Sequence, residues 1–148
     1  MGLMTIRDAL LSDAAEIAAL TAELGYEANA EAIAGRLGRV TDRRAQMVVV
    51  AVAEAKIVGW VQAQASEVLE SGFRVEIVGL VVAASCRRRG VGRGLVAAAE
   101  RWAIEIGAPA IVVRSNLKRT ESHRFYPALG FSTSKTQAVY RKVLGWQN

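Results

Sequence analysis

The chain has 148 residues, 52% of them hydrophobic and 22% charged. That is enough for one domain with a packed core and too few for two, and it excludes a disordered chain. The net charge of +5 favours a polyanionic partner, either nucleic acid or a phosphorylated small molecule.

Every apolar run is broken by charge or glycine well short of a membrane span. The N-terminal stretch has acids where a signal peptide needs a clean apolar run. Gly2 invites a myristoylation reading, but Ile6 stands where that motif needs Ser or Thr. Cys86 is the only cysteine, which excludes an internal disulfide and fits a reducing cytoplasm. With one histidine besides, Cys/His metal sites are excluded, and no metal is expected.

In chain order, residues 4–8 read as a short strand. Asp13 can cap a helix, with Glu16 closing a capping box. Ile17, Leu20, Thr21 and Leu24 keep one face of that helix, and Gly25 stops it. A second short helix covers Asn29 to Leu37 and ends at Gly38. Residues 46–53 and 57–65 are strands joined by a tight turn through Glu54, Ala55 and Lys56, which makes a hairpin. Residues 73–82 form another long strand, able to pair back across a turn at 66–72.

A helix runs from Gly92 to Ile106, with Leu95, Ala98, Ala99 and Trp102 on one face and Gly107 and Pro109 at its end. Residues 110–114 form a buried strand, so 74–114 reads as strand, crossover helix, strand. A short helix at 120–129 ends at Gly130, and residues 136–144 form a last strand. The expected fold class is therefore α/β, a single domain over residues 1–148 with a mixed sheet and helices on both faces.

Residues 80–95, LVVAASCRRRGVGRGL, carry the most chemistry. An apolar strand runs into Arg87, Arg88 and Arg89, then Gly90, Val91, Gly92 and Arg93 open a helix. Glycines let backbone N–H groups approach an anion, the helix N-terminus adds partial positive charge, and arginines add full charges. The same string also fits a glycine-loosened turn with a solvated basic rim. A P-loop would need G-x-x-x-x-G-K-[ST], and a dinucleotide fingerprint G-x-G-x-x-G; neither stands here, since Leu95 occupies the third glycine position.

Two segments, 76–94 (EIVGLVVAASCRRRGVGRG) and 114–131 (RSNLKRTESHRFYPALGF), together with the element order resemble the GNAT superfamily of acetyl-CoA-dependent N-acetyltransferases. Arg87, Gly90 and Gly92 match its Arg/Gln-x-x-Gly-x-Gly/Ala signature. Phe125, Tyr126, Gly130 and Phe131 match its later aromatic segment in order and spacing. The stretch from Asn116 to Tyr126 is similar to small-molecule members, aminoalkylphosphonate acetyltransferases among them.

The resemblance implies a sheet of six to seven strands, splayed beside the fourth. It implies acetyl-CoA as donor, its pantetheine arm along Leu80, Val81 and Val82 and its pyrophosphate on the loop from Arg87 to Arg93. It also implies a small primary amine as acceptor and allows a homodimer, with no nucleic acid or membrane partner.

The resemblance makes Tyr126 the general acid that protonates the departing thiolate; the alternative is an aromatic packed beside Phe125. Pro127 inside that helix puts the aim of Tyr126 in question. Glu76 is the candidate base, on the face of Val78 and Leu80 by alternation, or else a strand acid paired with a neighbour. Asn116 bonds the cofactor or serves as a turn residue. His123 shares a helix face with Tyr126, where a structural hydrogen bond outweighs a proton relay. Tyr26 and Trp60 line the acceptor side, core packing being the stronger alternative for Trp60, and Cys86 is inert. Rival readings are a nucleic-acid-binding module, a non-catalytic acetyl-CoA sensor, and a protein or peptide acetyltransferase.

Overall fold

The structure, a computed structural model, describes residues 3–40, 42–115 and 121–145. It divides into two compact units, Met1–Arg114 and Ser115–Asn148, each described here by itself. No described helix is long and apolar enough to cross a membrane.

The first unit holds strand β1 (Met4–Asp8), helices α1 (Ala14–Glu23) and α2 (Ala30–Arg39), and strands β2 (Gln46–Ala53), β3 (Lys56–Val68) and β4 (Gly72–Val82). Helix α3 (Val91–Glu105) and strand β5 (Ile111–Val113) complete it. The sheet runs β1-β2-β3-β4-β5, antiparallel except for the last pair. Ala53 opposes Lys56, so the β2–β3 turn has two central residues. Glu54 and Ala55 both take positive φ there, 51° and 64°, the sense of turn that matches strand twist.

Helix α3 is the crossover between the parallel strands β4 and β5. It presses Val91, Leu95, Val96, Ala99, Trp102 and Ala103 into the core. Its partners include Val61 and Ala63, both fully buried. The opposite sheet face carries α1, which buries Ile17, Ala18, Leu20 and Thr21. Helices therefore cover both faces. The Trp102 indole N–H donates to the Arg43 carbonyl at 2.8 Å, tying the end of α3 to the loop before β2.

Three expectations need correction. The capping box at Asp13 does not form. The Asp13 carboxylate instead accepts two hydrogen bonds from the Arg7 guanidinium, at 2.8 and 3.0 Å, and one from the Leu10 N–H at 2.7 Å. Glu16 reaches the Ile57 N–H at 2.7 Å, so the side chain expected to close the box joins α1 to β3. The Arg7 hydrogen bonds, helped by that backbone N–H, hold the Asp13 carboxyl below its ordinary value, and the same pair raises Arg7.

The sheet has five strands among the described residues, not six to seven. Residues 136–144 form no strand, and Val139, Tyr140, Val143 and Leu144 are exposed. Their adjacent apolar pairs would face both sides of a sheet, and without a ladder partner β-propensity does not make a strand. The expected strand at 110–114 shortens to Ile111–Val113.

The third correction is to the face of Glu76. On β4, Gly79 opposes Gln62 and Ile77 opposes Ala63, so Val78 is an extra residue, a β-bulge. Glu76 opposes Gln64 and Leu80 opposes Val61, three residues apart on β3. Cross-strand partners share a face, so Glu76 and Leu80 lie on opposite faces. Simple alternation failed because the bulge shifts the period by one residue.

The second unit holds helix α4 (Ser122–Ala128), with Pro127 inside it and Gly130 in a left-handed conformation just beyond. Tyr126 meets Phe125 and Phe131 edge-on, at centroid distances of 5.0 and 5.6 Å.

Candidate active site

The end of β4 is half-paired. Leu80, Val81 and Val82 oppose Val61, Trp60 and Gly59 of β3. On the other side β5 pairs only with Val75, Glu76 and Ile77. Past Ile77, β4 continues for five residues without a β5 ladder among the described residues, which suits its second edge to a ligand's backbone-like groups. The bulge at Val78 sits at the point where the ladder stops.

From β4 the chain passes a short 3-10 turn, Ala84–Cys86, and reaches the arginines. Arg87 is extended, with φ −64° and ψ 147°. Arg88 takes φ 64° and Gly90 takes φ 81°, so two left-handed residues reverse the chain into α3. A Cβ on Gly90 would meet nothing within 4 Å, so Gly90 is there for its conformation and leaves open space above the helix end. The first N–H groups of a helix have no intrahelical partner, which leaves those of Val91, Gly92 and Arg93 outside the helix ladder; among the described residues no side chain caps the helix.

No acid lies in that first turn, and the charged residue there is the exposed Arg93. A cation at a helix N-terminus opposes the macrodipole, an arrangement that an anionic ligand reverses. Arg88 and Arg89 are exposed beside it, and Val91 is buried beneath. Cys86 is free and buried.

The face of β4 that carries Glu76 is polar. By register it also carries Gln46, Gln62, Gln64 and Arg74. Gln62 donates to Gln46 at 3.2 Å. Glu76 is flanked by two guanidinium groups: Arg114 Nη1 at 3.2 Å from Oε2, and Arg74 Nη2 at 3.8 Å from Oε1. Sequence reasoning missed both arginines. The alternation that places Arg74 two residues before Glu76 was a usable signal, and Gly79 within a strand was a signal of the bulge.

Trp60 is half-buried on the same face. Its indole N–H donates to Thr21 Oγ1 at 3.0 Å, and that hydroxyl donates to the Ile17 carbonyl at 2.6 Å. The ring is thus pinned between α1 and β4. Tyr26 follows α1 and is 40% exposed. His123 is exposed on α4. Asn116 lies outside the described residues. The first unit brings together the β4 end, the arginine–glycine loop, Glu76 and Trp60; Tyr126 belongs to the second unit.

The acetyltransferase (GNAT) family profile matches residues 11–131 of this chain, so the chain belongs to that family. Among curated proteins it is similar to aminoglycoside N(6')-acetyltransferase type 1 of Serratia marcescens, 31% identical over 67 residues, 45% of this chain and 46% of that one. The protein of the same name from Salmonella typhimurium is 34% identical over 68 residues, 46% of this chain and 47% of that one. The chain spans about half the length of the curated relatives it matches. The fold is shared with aminoglycoside N-acetyltransferase AAC(6')-Iy, solved in complex with CoA, at a TM-score of 0.85 and 24% identity over 95% of each chain. These relatives correct the finer resemblance: the named enzymes are aminoglycoside acetyltransferases, not aminoalkylphosphonate ones.

Proposed function

We propose that the chain is an acetyl-CoA-dependent N-acetyltransferase, one domain in its catalytic sense, acting on the primary amine of a small molecule by direct attack in a ternary complex. The observation that carries this reading is the continuity of three features on one stretch of chain. These are the β4 edge that outruns the β5 ladder past Ile77, the left-handed turn at Arg88 and Gly90, and an α3 N-terminus with arginines and no acid.

The residues present fit the donor. The N–H groups of Val91, Gly92 and Arg93 suit a pyrophosphate, with Arg87, Arg88 and Arg89 adding charge. Backbone groups of Leu80, Val81 and Val82 suit the two amides of a pantetheine arm. Bound there, acetyl-CoA supplies a thioester carbon for the amine to attack and a thiolate as leaving group.

Glu76 receives a proton from the incoming ammonium, and the Tyr126 hydroxyl gives one to the departing thiolate. General acid–base help of this kind is worth about 10²–10⁴-fold. Trp60 and Tyr26 line the acceptor side, and Asn116 contributes to donor binding. This reading needs no nucleic acid, membrane or metal. It places the protein in the cytoplasm, with the homodimer that the family resemblance allows.

The test is calorimetry with acetyl-CoA, followed by a thiol-release assay against polyamines, aminoglycosides, amino acids, aminophosphonates and peptides. Binding below millimolar concentration with amine-dependent thiol release supports the reading. No binding at near-millimolar acetyl-CoA overturns it.

A further inference from the structure

The polar face around Glu76 has an uneven charge count. Two guanidinium groups, of Arg74 and Arg114, flank one carboxylate. By register, Glu76 is the only acid on this face of β2 to β5 among the described residues. The neighbouring side chains Gln46, Gln62 and Gln64 are neutral amides.

The carboxylate does not saturate these arginines. Arg74 Nη2 stands 3.8 Å from Glu76 Oε1, beyond direct hydrogen-bond length. Arg74 Nε is buried with no hydrogen-bond partner among the described residues. A buried donor left in that state is costly and calls for an acceptor. The Arg114 side chain is 59% exposed and directs one N–H to Glu76 at 3.2 Å, with further donors in its fork.

We propose that the acceptor amine carries an anionic group, a carboxylate or a phosphate, which Arg74 and Arg114 bind while Glu76 takes the ammonium. The proposal rests on the acetyltransferase reading and narrows its substrate class. One negative and two positive groups complement a molecule bearing an ammonium and an anion. A polycationic amine would meet a net positive face, whereas a zwitterion satisfies all three charges. Planar bidentate recognition of carboxylate and phosphate is what guanidinium groups do best.

The experiment compares kcat/KM on matched acceptors with acetyl-CoA saturating. For the carboxylate arm these are 3-aminopropanoate, 3-aminopropanamide and 1,3-diaminopropane; for the phosphate arm, O-phosphoethanolamine and ethanolamine. The expected result is a preference of about tenfold or more for the anionic member of at least one arm. Arg114→Gln, at an exposed position that folding tolerates, should cut that anionic-to-neutral ratio about tenfold, and Arg74→Gln should do likewise.

Equal or better turnover of the diamine overturns the proposal and leaves the acetyltransferase intact. So does an anionic-to-neutral ratio unmoved by Arg114→Gln. If Arg114→Gln weakens acetyl-CoA binding in calorimetry while the ratio stands, the arginine serves the donor and the proposal is wrong. No thiol release with any amine overturns both readings.

Discussion

A methyl group on Gly79 would stand 2.6 Å from Cζ3 and 2.8 Å from Cη2 of Trp60. The glycine next to the β4 bulge is therefore the seat of the indole ring. Gly79→Ala should force the ring off its Thr21 hydrogen bond and destabilise the fold by about 1–3 kcal/mol. Urea unfolding measures this. Trp60→Leu frees the space, so the double variant should be more stable than the sum of the two losses by about 0.5 kcal/mol or more. Strict additivity would mean that the two residues do not press on each other.

The left-handed turn offers a second test. Gly90→Val puts a β-branched residue at φ 81°, which costs of order 1–3 kcal/mol locally. Gly92→Val adds side-chain bulk at the second helical residue. Each should weaken acetyl-CoA binding sharply in calorimetry, by about tenfold or more, because the N–H groups lose their approach to the pyrophosphate. Unchanged affinity in both would remove the backbone cradle from the mechanism.

Tyr126→Phe keeps the ring, and with it the edge-on contacts to Phe125 and Phe131. It removes the phenolic hydroxyl and with it the proton. On the proposed mechanism kcat falls by about 10²-fold or more, while acetyl-CoA affinity changes little. Near wild-type kcat with the best acceptor would make Tyr126 a packing residue.

The Arg7–Asp13 pair predicts a response to acid. The folded carboxyl is held below its ordinary value, chiefly by the Arg7 hydrogen bonds. Its contribution is therefore fully present above the unfolded value of about 3.9 and is lost as pH falls through the folded value. Asp13→Asn should cost about 1.5–3 kcal/mol at pH 7, the range for hydrogen bonds to charged groups. The gap between variant and wild type should narrow by about pH 3. A gap of constant size in urea titrations at both pH values would show that the charge is not what stabilises this turn.

Much of this architecture is legible in the residues. β2 begins and ends where QMVVVAVA does, because β-branched runs bounded by polar turns have few other conformations. The crossover from β4 through α3 to β5 follows from a strand, a glycine-opened amphipathic helix and a second apolar run. Arg87, Gly90 and Gly92 stood out because chemistry and backbone requirement coincide there.

Less legible was anything set by partners distant in sequence. Glu16 leaves its own helix end for the Ile57 N–H, 41 residues away. Arg114 finds Glu76 across 38 residues. The Asp13 carboxylate had a local N–H to cap and a guanidinium on β1 to pair with, and the pair prevailed. The segment 136–144 has strand-forming residues but no ladder, which no local pattern reveals.

Val78 acts on the sheet much as a frameshift acts on a message. Upstream of it, odd-numbered Val75 and Ile77 face α3; downstream, even-numbered Leu80 and Val82 take that side. Deleting this one residue would set Ile77 next to Gly79 opposite the adjacent Ala63 and Gln62, so the bulge would go while both halves of β4 kept their faces. Were Val78 instead to take an ordinary ladder place opposite Ala63, with the pairing beyond Gly79 held, Glu76 and Arg74 would turn into the core beneath α3, while Val75 and Ile77 turned outward. The Glu76 carboxylate and the end of β4 thus keep their faces through a single unpaired residue whose own side chain is exposed.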